Sequence, residues 1–442
     1  MSAQPSSHNL IGNPSFEKLA GDLPDGWDFH APRDDIAPSV ATDESTARSG
    51  QRSLCMAGAG KRGVIGWIST RCPGLKAGET FELAAYFRVE DVPDLHESVW
   101  MRVTWLRSSP ADGARRNRAA LAHKLTQSDG WWRISGVFTA PEEAEIAVVS
   151  LGLRYAEHGK IWWDDVSMRR VPTPSPRPVR VATAFLPYGQ RTPEDWDRVL
   201  AEAGDGNADI VCLGELAEIV DPHSHPRPTI PGPASDTLAE YARRYHMMVV
   251  VSLPEWDEGL QYNTAIIMGR DGEILGRYRK THLPQSEAEG GTTPGDSFPV
   301  FDTEIGRIGL QICYDHFFPE VARLLALGGA EMIFTPIMGD LRAEETVYDA
   351  VARARAVDNS VFYVTSIRDT GRSLVVDPSG RILADTAGVP GVAFADIDLN
   401  AAYYEDWMSV GGDAEFRHLW PKERRPALYR ALSRPIGVGE EE

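Results

Sequence analysis

The chain has 442 residues, 42% hydrophobic and 25% charged, with a formal net charge of −19. That size and composition describe two or three soluble globular domains, and the negative charge argues against nucleic acid or an anionic membrane as the main partner, since both need basic surface. No apolar run approaches the roughly 20 residues that span a bilayer, and the start MSAQPSSHNLIGNPSF lacks the basic and apolar regions of a secretory signal. Four cysteines (Cys55, Cys72, Cys212, Cys313) with no C-x-x-C pair make neither a disulfide framework nor a zinc site, so a reduced cytoplasm is the expected compartment.

In chain order, residues 1–170 read as an all-β sandwich. TFELAAYFRV, VWMRVTWLR, WWRISGVF and IAVVSLGLRY are short alternating runs separated by Gly, Pro and Asp, with no helical period between residues 80 and 168. Prolines at 172, 174, 176 and 178 prevent helix and favour an extended linker over 171–179. Beyond it, over 180–400, strands alternate with helices, which predicts an α/β domain. RVATAFL leads to a helix capped by Thr192, with Pro193 at its first position and Asp195 closing a capping box. ADIVCLGE, a helix near 234–245 and MMVVVSL follow. NTAIIMGRDGEILGRYRK predicts a hairpin turning at Asp271–Gly272. Residues 401–442 are aromatic and basic and read as an arm that packs on another surface.

The stretch GRIGLQICYDHFFPE, 306–320, carries the chemistry. Ile308, Leu310 and Ile312 share one strand face, and Pro319 and Glu320 suit a helix start. Cys313 is thus either core filler, common for cysteine, or a nucleophile whose pKa a nearby helix N-terminus depresses. Such a nucleophile needs a base. His316 and His282 are the obvious candidates, and Glu215, at the C-terminal end of a core strand where α/β sheets build their sites, is a third. Lys280 could stabilise a developing oxyanion, or belong with Arg277 and Arg279 to a plain basic edge.

Glu215 in CLGELAE, Lys280 in YRKTHLP and Cys313 in GLQICYDHFFPE, 65 and 33 residues apart, resemble the ordered motifs of the carbon–nitrogen hydrolase (nitrilase) superfamily. GGAEMIFTP, ARAVDNSVFYVTS and SLVVDPSGRILADT continue the resemblance, which covers about 178–430. It implies a four-layer α-β-β-α sandwich and a cofactor-free Cys–Glu–Lys triad. Cys313 would attack a small-molecule amide, Glu215 would shuttle the proton, and Lys280 with the backbone N–H of Tyr314 would hold the oxyanion of an intermediate that leads to a thioester. A further glutamate after the lysine is implied, at Glu287 or Glu289, with Glu287 favoured. His316, Phe317 and Met338 are expected to line the substrate pocket. Tyr314–Asp315 after the cysteine resembles the amidase and carbamoylase branches, whereas nitrile-hydrolysing members tend to carry Trp–Glu. The family also implies a homo-oligomer assembled in part through arms such as RRPALYRAL.

NLIGNPSFE, LPDGWDF, ARSGQRSL and IWWDDVSM resemble jelly-roll carbohydrate-binding modules of the galactose-binding-like type. That resemblance implies a structural Ca²⁺ near Glu17 and Asp165, and aromatic sugar platforms among Trp67, Trp100, Trp105, Trp131, Trp132, Trp162 and Trp163, which on sandwich strands also suit a core. Assembly, or cover for an active-site mouth, are alternative roles for this domain. Two rivals to the amidase remain. One is an N-carbamoyl hydrolase, for which Arg342 or Arg368 would take a substrate carboxylate. The other is a glycan-binding or assembly protein with a vestigial hydrolase domain.

Overall fold

A computed structural model describes residues 8–106, 118–142, 144–187, 189–339, 347–405, 413–417 and 423–433. The chain divides into two compact units, Met1–Pro174 with Ala402–Glu442, and Ser175–Ala401. Among the described residues no helix is long and apolar enough to cross a membrane.

The first unit holds a six-stranded sheet centred on Thr80–Glu90 and Lys160–Val171, and a seven-stranded sheet centred on Val99–Leu106 and Ile146–Arg154. Alternation along each strand sends one set of side chains inward, and both sheets contribute to a single core that includes Phe81, Phe87, Trp105 and Trp163. Phe81 of one sheet meets Trp105 of the other with ring centroids 6.1 Å apart. The ends of the unit are tied by Asn9, whose amide donates to Val166 O at 2.9 Å and accepts from Met168 N at 2.9 Å. After residue 401 the chain adds two short strands, Tyr404–Glu405 and Asp413–Glu415, to the seven-stranded sheet, the second pairing in parallel with Arg118–Leu121.

Two expectations for this unit meet different surroundings. The Asp165 carboxylate accepts from Ser15 Oγ at 2.7 Å and Ser49 Oγ at 2.6 Å, and it is ion-paired with the Arg48 guanidinium. Glu17 accepts instead from the backbone of Gln51 and Arg52, at 2.8 and 3.0 Å. A guanidinium thus stands on Asp165 where a calcium ion was expected, and among the described residues no group of three or more His, Cys, Asp or Glu side chains is placed to hold a metal. The tryptophans are not platforms either. Trp100, Trp105, Trp131, Trp162 and Trp163 are buried, while Trp67 and Trp132 are partly buried against apolar clusters.

The second unit is built on one sheet path whose two halves meet where Pro178–Pro187 lies parallel to Phe362–Thr370. On one half, Pro193–Asp205 and Pro233–Tyr245 pack through Trp196, Leu200 and Leu238 onto Val211, Val249 and Val251. On the other, Pro319–Leu327 and Val347–Asn359 pack through Leu325 and Ala356 onto Ile333 and Tyr363. Buried hydroxyls stitch the halves together. Thr183 Oγ1 donates to Thr365 O at 2.6 Å, and Ser366 Oγ and Ser373 Oγ both donate to Ala184 O at 2.7 Å. The predicted capping box forms, with Thr192 and Asp195 bonded reciprocally. The hairpin of Leu260–Met268 and Ile274–Arg279 turns through Gly272, whose φ of +78° favours glycine.

Candidate active site

Pro178–Pro187, Ile210–Cys212, Met332–Gly339 and Phe362–Thr370 run parallel, and their C-terminal ends open into the loops where an α/β sheet places a ligand. Glu215 follows the second of these strands by three residues and is buried. Its Oε1 accepts from Lys280 Nζ at 2.8 Å and Asn263 Nδ2 at 2.8 Å, and its Oε2 accepts from Met338 N at 3.0 Å. Lys280 arrives from the hairpin. Period-2 alternation turns Gly276, Tyr278 and Lys280 inward, while Arg277 and Arg279 pair with Glu255 on the other face. A basic edge is therefore excluded for Lys280, whose side chain is 0% exposed. Its Nζ also donates to Glu287 Oε1 at 2.6 Å. Glu289, the alternative, lies exposed and bonds Gln285.

Charge balance decides the state of the lysine. Burial alone would depress its pKa, but the Glu215 charge, with a smaller effect from the Cys313 sulfur, outweighs it and holds the ammonium above its ordinary range. Glu287 shows the reverse. Burial pushes it up, and Lys280 only partly draws it back.

Cys313 differs from expectation in one respect. The strand Gly306–Leu310 ends before it, and the α-helix begins only at Pro319, with a 3₁₀ turn over Cys313–Phe317 between them. No helix N-terminus reaches the thiol. Burial first, and then the Glu215 charge, push its pKa well above the usual value, against the pull of Lys280 and the Met338 N–H. The residue has φ +43°, in the left-handed region that non-glycine residues adopt at a cost of about 1 kcal/mol or more. It packs beside Phe185, Ile337 and Ile367.

A family model described as carbon-nitrogen hydrolase matches residues 190–404. The Omega-amidase NIT2 of Homo sapiens is 37% identical over 188 residues, 38% of this chain and 68% of the relative. That of Mus musculus is 34% identical over 225 residues, 46% of this chain and 78% of the relative. The chain belongs to the carbon–nitrogen hydrolase family. Among solved structures, a carbon–nitrogen hydrolase from Helicobacter pylori G27 aligns with a TM-score of 0.50 and 25% identity, over 59% of this chain and 99% of that one. The protein is accordingly an amidase-like hydrolase with a nitrilase-type fold in its second unit.

Within this hydrolase two sequence readings change. His316 is not a pocket wall. It is fully buried, with Nδ1 bonded to Tyr363 Oη at 2.7 Å and Nε2 to Tyr348 O at 3.1 Å. Burial, reinforced by the Arg355 charge and opposed by the Tyr348 carbonyl, pushes its pKa down to about 3. As pH falls through 6.5 the unfolded chain therefore binds a proton that the folded chain refuses, and stability declines toward the folded value. The expected contribution from this group is a loss of roughly 1.5 kcal/mol between pH 6.5 and 5. Urea unfolding of His316→Gln should show an acid limb shallower by about that amount.

His282 is not a base either. It stacks on Phe318 at 3.9 Å and its Nδ1 lies 2.9 Å from Asp315 Oδ1. Phe317 packs edge-on against Tyr348, Met338 contributes its backbone N–H, and Tyr314 is exposed against Phe318. Arg342 lies outside the described residues.

Two residues that the sequence reading did not place at the site are structural ties. Asn263 accepts from Ser252 Oγ at 2.6 Å while donating to Glu215, which fixes the carboxylate plane. Asp315 is buried and accepts from Tyr278 Oη at 2.7 Å, Thr281 Oγ1 at 3.0 Å, and the backbone N–H groups of His282 and Ile312 at 3.0 Å each. It thereby fastens the lysine segment to the cysteine turn. A polar residue inside the apolar strand NTAIIM was the available signal for Asn263.

Proposed function

We propose that this hydrolase cleaves the terminal amide of a linear small molecule, as the name omega-amidase states for its relatives, through Cys313, Glu215 and Lys280. The observation that carries the reading is one buried carboxylate held by a buried ammonium next to a strained cysteine. Glu215 takes the thiol proton as Sγ bonds to the amide carbon. The resulting oxyanion is met by Lys280 and the Tyr314 N–H. Glu215 passes its proton to the amide nitrogen, the C–N bond breaks, ammonia leaves and a thioester remains. Glu215 then deprotonates a water, which attacks the thioester carbon. The C–S bond breaks, the carboxylic acid departs, and the proton returns to Sγ. Because the ammonium is already present, charge stabilisation requires no reorganisation at the moment of attack.

Glu287 assists by keeping Lys280 in place. A jelly-roll topology for the first unit, a role for that unit in assembly rather than sugar binding, a cytoplasmic location and a homo-oligomer complete the reading. Leu428 and Leu432, 65% and 68% exposed on the C-terminal segment, support association through that segment.

The test is ammonia release from a panel of linear amides, the matching nitriles and N-carbamoyl amino acids. Amides should be turned over, with the other two classes at least about 100-fold slower in kcat/KM. Faster turnover of the carbamoyl compounds would replace the amidase reading.

A further inference from the structure

Gln311 and His316, one on each side of Cys313 in the chain, end on the same atom. Gln311 Nε2 donates to Tyr363 Oη at 2.6 Å, and His316 Nδ1 lies 2.7 Å from that oxygen. All three side chains are fully buried. The chemistry of the partners fixes the direction of each bond. His316 Nε2 faces Tyr348 O at 3.1 Å, and a carbonyl can only accept, so the ring proton is on Nε2 and Nδ1 offers a lone pair. Gln311 donates to the phenol oxygen, and the single phenol proton goes to Nδ1. Burial keeps both groups neutral, pushing the Tyr363 phenol up and the imidazole down.

A run of neutral hydrogen bonds, from Gln311 through Tyr363 and His316 to Tyr348, thus ties both flanks of the cysteine to the strand Phe362–Thr370 and the helix Val347–Asn359. Arg355 of the same helix adds donors at the end of the 3₁₀ turn, from Nε to His316 O at 3.3 Å and from Nη2 to Phe317 O at 3.4 Å. Such ties are what the backbone needs, since φ +43° at Cys313 persists only where the surroundings over-determine it. Asp315 fastens the turn toward Tyr278 and Thr281, and Tyr363 reaches it from a different strand. The Tyr363 ring packs with Ile333, Ala352 and Ala356, a site that phenylalanine would fill as well, so packing alone does not call for the hydroxyl.

We propose that Tyr363 is a positioning residue for the nucleophile: its hydroxyl, by joining Gln311 to the neutral His316, holds the cysteine turn so that Sγ stays in register with Glu215 and Lys280. The inference rests on the reading of Cys313 as the nucleophile. Without the hydroxyl, Gln311 Nε2 and His316 Nδ1 lose their shared partner inside a buried space, and each side chain must move to find another. That movement reaches Cys313 through two and three residues of backbone. The substrate, bound by other groups, is untouched, so the loss falls on the rate of attack and not on binding.

The experiment measures kcat and KM for butyramide, normalised to folded protein, and the rate constant of Cys313 alkylation by iodoacetamide. Tyr363→Phe should lower kcat about 30-fold with KM within about twofold, and should slow alkylation about tenfold, because a displacement of the sulfur by about 1 Å costs rate. His316→Asn puts an amide oxygen where Nδ1 stands and keeps an acceptor for the phenol, so it should recover most of the rate. His316→Gln keeps a donor for Tyr348 O but no acceptor for Tyr363, and should fall with Tyr363→Phe. A Tyr363→Phe protein that is only less stable, with kcat per folded molecule and alkylation within about threefold of wild type, overturns the proposal, as do equal losses in the two His316 variants. Should Tyr363→Phe fail to fold, the two His316 variants decide. Where wild type leaves butyramide intact, the alkylation rates decide alone. Loss of hydrolysis in Cys313→Ala beside an unaffected Tyr363→Phe removes the positioning role and keeps the amidase reading, whereas hydrolysis that survives in Cys313→Ala removes both.

Discussion

Cys313→Ala should lower amide hydrolysis by about 10⁴-fold or more while the protein remains folded. The size follows from the mechanism. Without Sγ there is no thioester, and the remaining ammonium and backbone donor can only polarise the carbonyl for slow attack by water. The fold survives because the sulfur is a minor partner of the Phe185, Ile337 and Ile367 cluster, so its removal costs about 1–2 kcal/mol. Iodoacetamide mapping of wild type should place the adduct on Cys313: burial raises its thiol as it does those of Cys72 and Cys212, but Cys313 is only partly buried and has the Glu215 carboxylate beside it to take the proton, whereas Cys72 and Cys212 are buried. Cys55 is the internal control. It is half-buried, and burial with the Asp43 charge pushes its pKa up to about 11, the Lys160 charge only partly offsetting them. Cys313→Gly adds a structural readout. Glycine adopts φ +43° without penalty, so it should recover about 1 kcal/mol relative to alanine in urea unfolding, beyond its greater loss of chain entropy. Full activity in Cys313→Ala, or no advantage of glycine over alanine, would contradict the placement of a strained nucleophile here.

Much of this site was legible because each principal residue ends or follows a strand with a clear pattern. Gly276, Tyr278 and Lys280 obey the same alternation that turns Arg277 and Arg279 outward, so the inward lysine is a consequence of strand geometry. Glu215 follows the apolar strand Ile210–Cys212 by three residues. What sequence could not supply was the set of long-range partners. Asp315 could be read only through its local position after the cysteine, yet its function is set by Tyr278, Thr281 and His282, more than thirty residues earlier. His316 was misread as pocket lining for the same reason, because Tyr348 and Tyr363, which close around it, lie on later elements. The thiol pKa was misjudged through one local detail. The 3₁₀ turn Cys313–Phe317 and then Phe318 stand between the thiol and the α-helix that begins at Pro319, so proximity in sequence did not become proximity to a helix dipole. The C-terminal strand pairing Asp413 with Arg118 joins segments far apart in the chain and leaves no local signature.

The two charged neighbours of the thiol should separate cleanly in their effects, although both are needed for turnover. Glu215→Gln removes the proton carrier and should lower kcat by about 10³-fold, and Lys280→Met removes the oxyanion charge and should do the same. Their electrostatic actions on Cys313 have opposite signs, however, since the carboxylate raises the thiol pKa and the ammonium lowers it. The midpoint of iodoacetamide alkylation against pH should therefore move down in Glu215→Gln and up in Lys280→Met. Stability should also differ. Lys280→Met strips Glu215 and Glu287 of their shared buried cation, leaving two acidic groups facing each other, and should cost about 3–5 kcal/mol. Glu215→Gln keeps an oxygen for one donor and leaves Glu287 to pair the lysine, so about 1–3 kcal/mol is expected. Midpoints moving in the same direction would mean that the alkylated sulfur does not lie between these charges. A dead Glu215→Gln protein with a lowered thiol midpoint would show instead that ionising the cysteine is not enough, because the carboxylate is still required to carry the proton to the departing nitrogen.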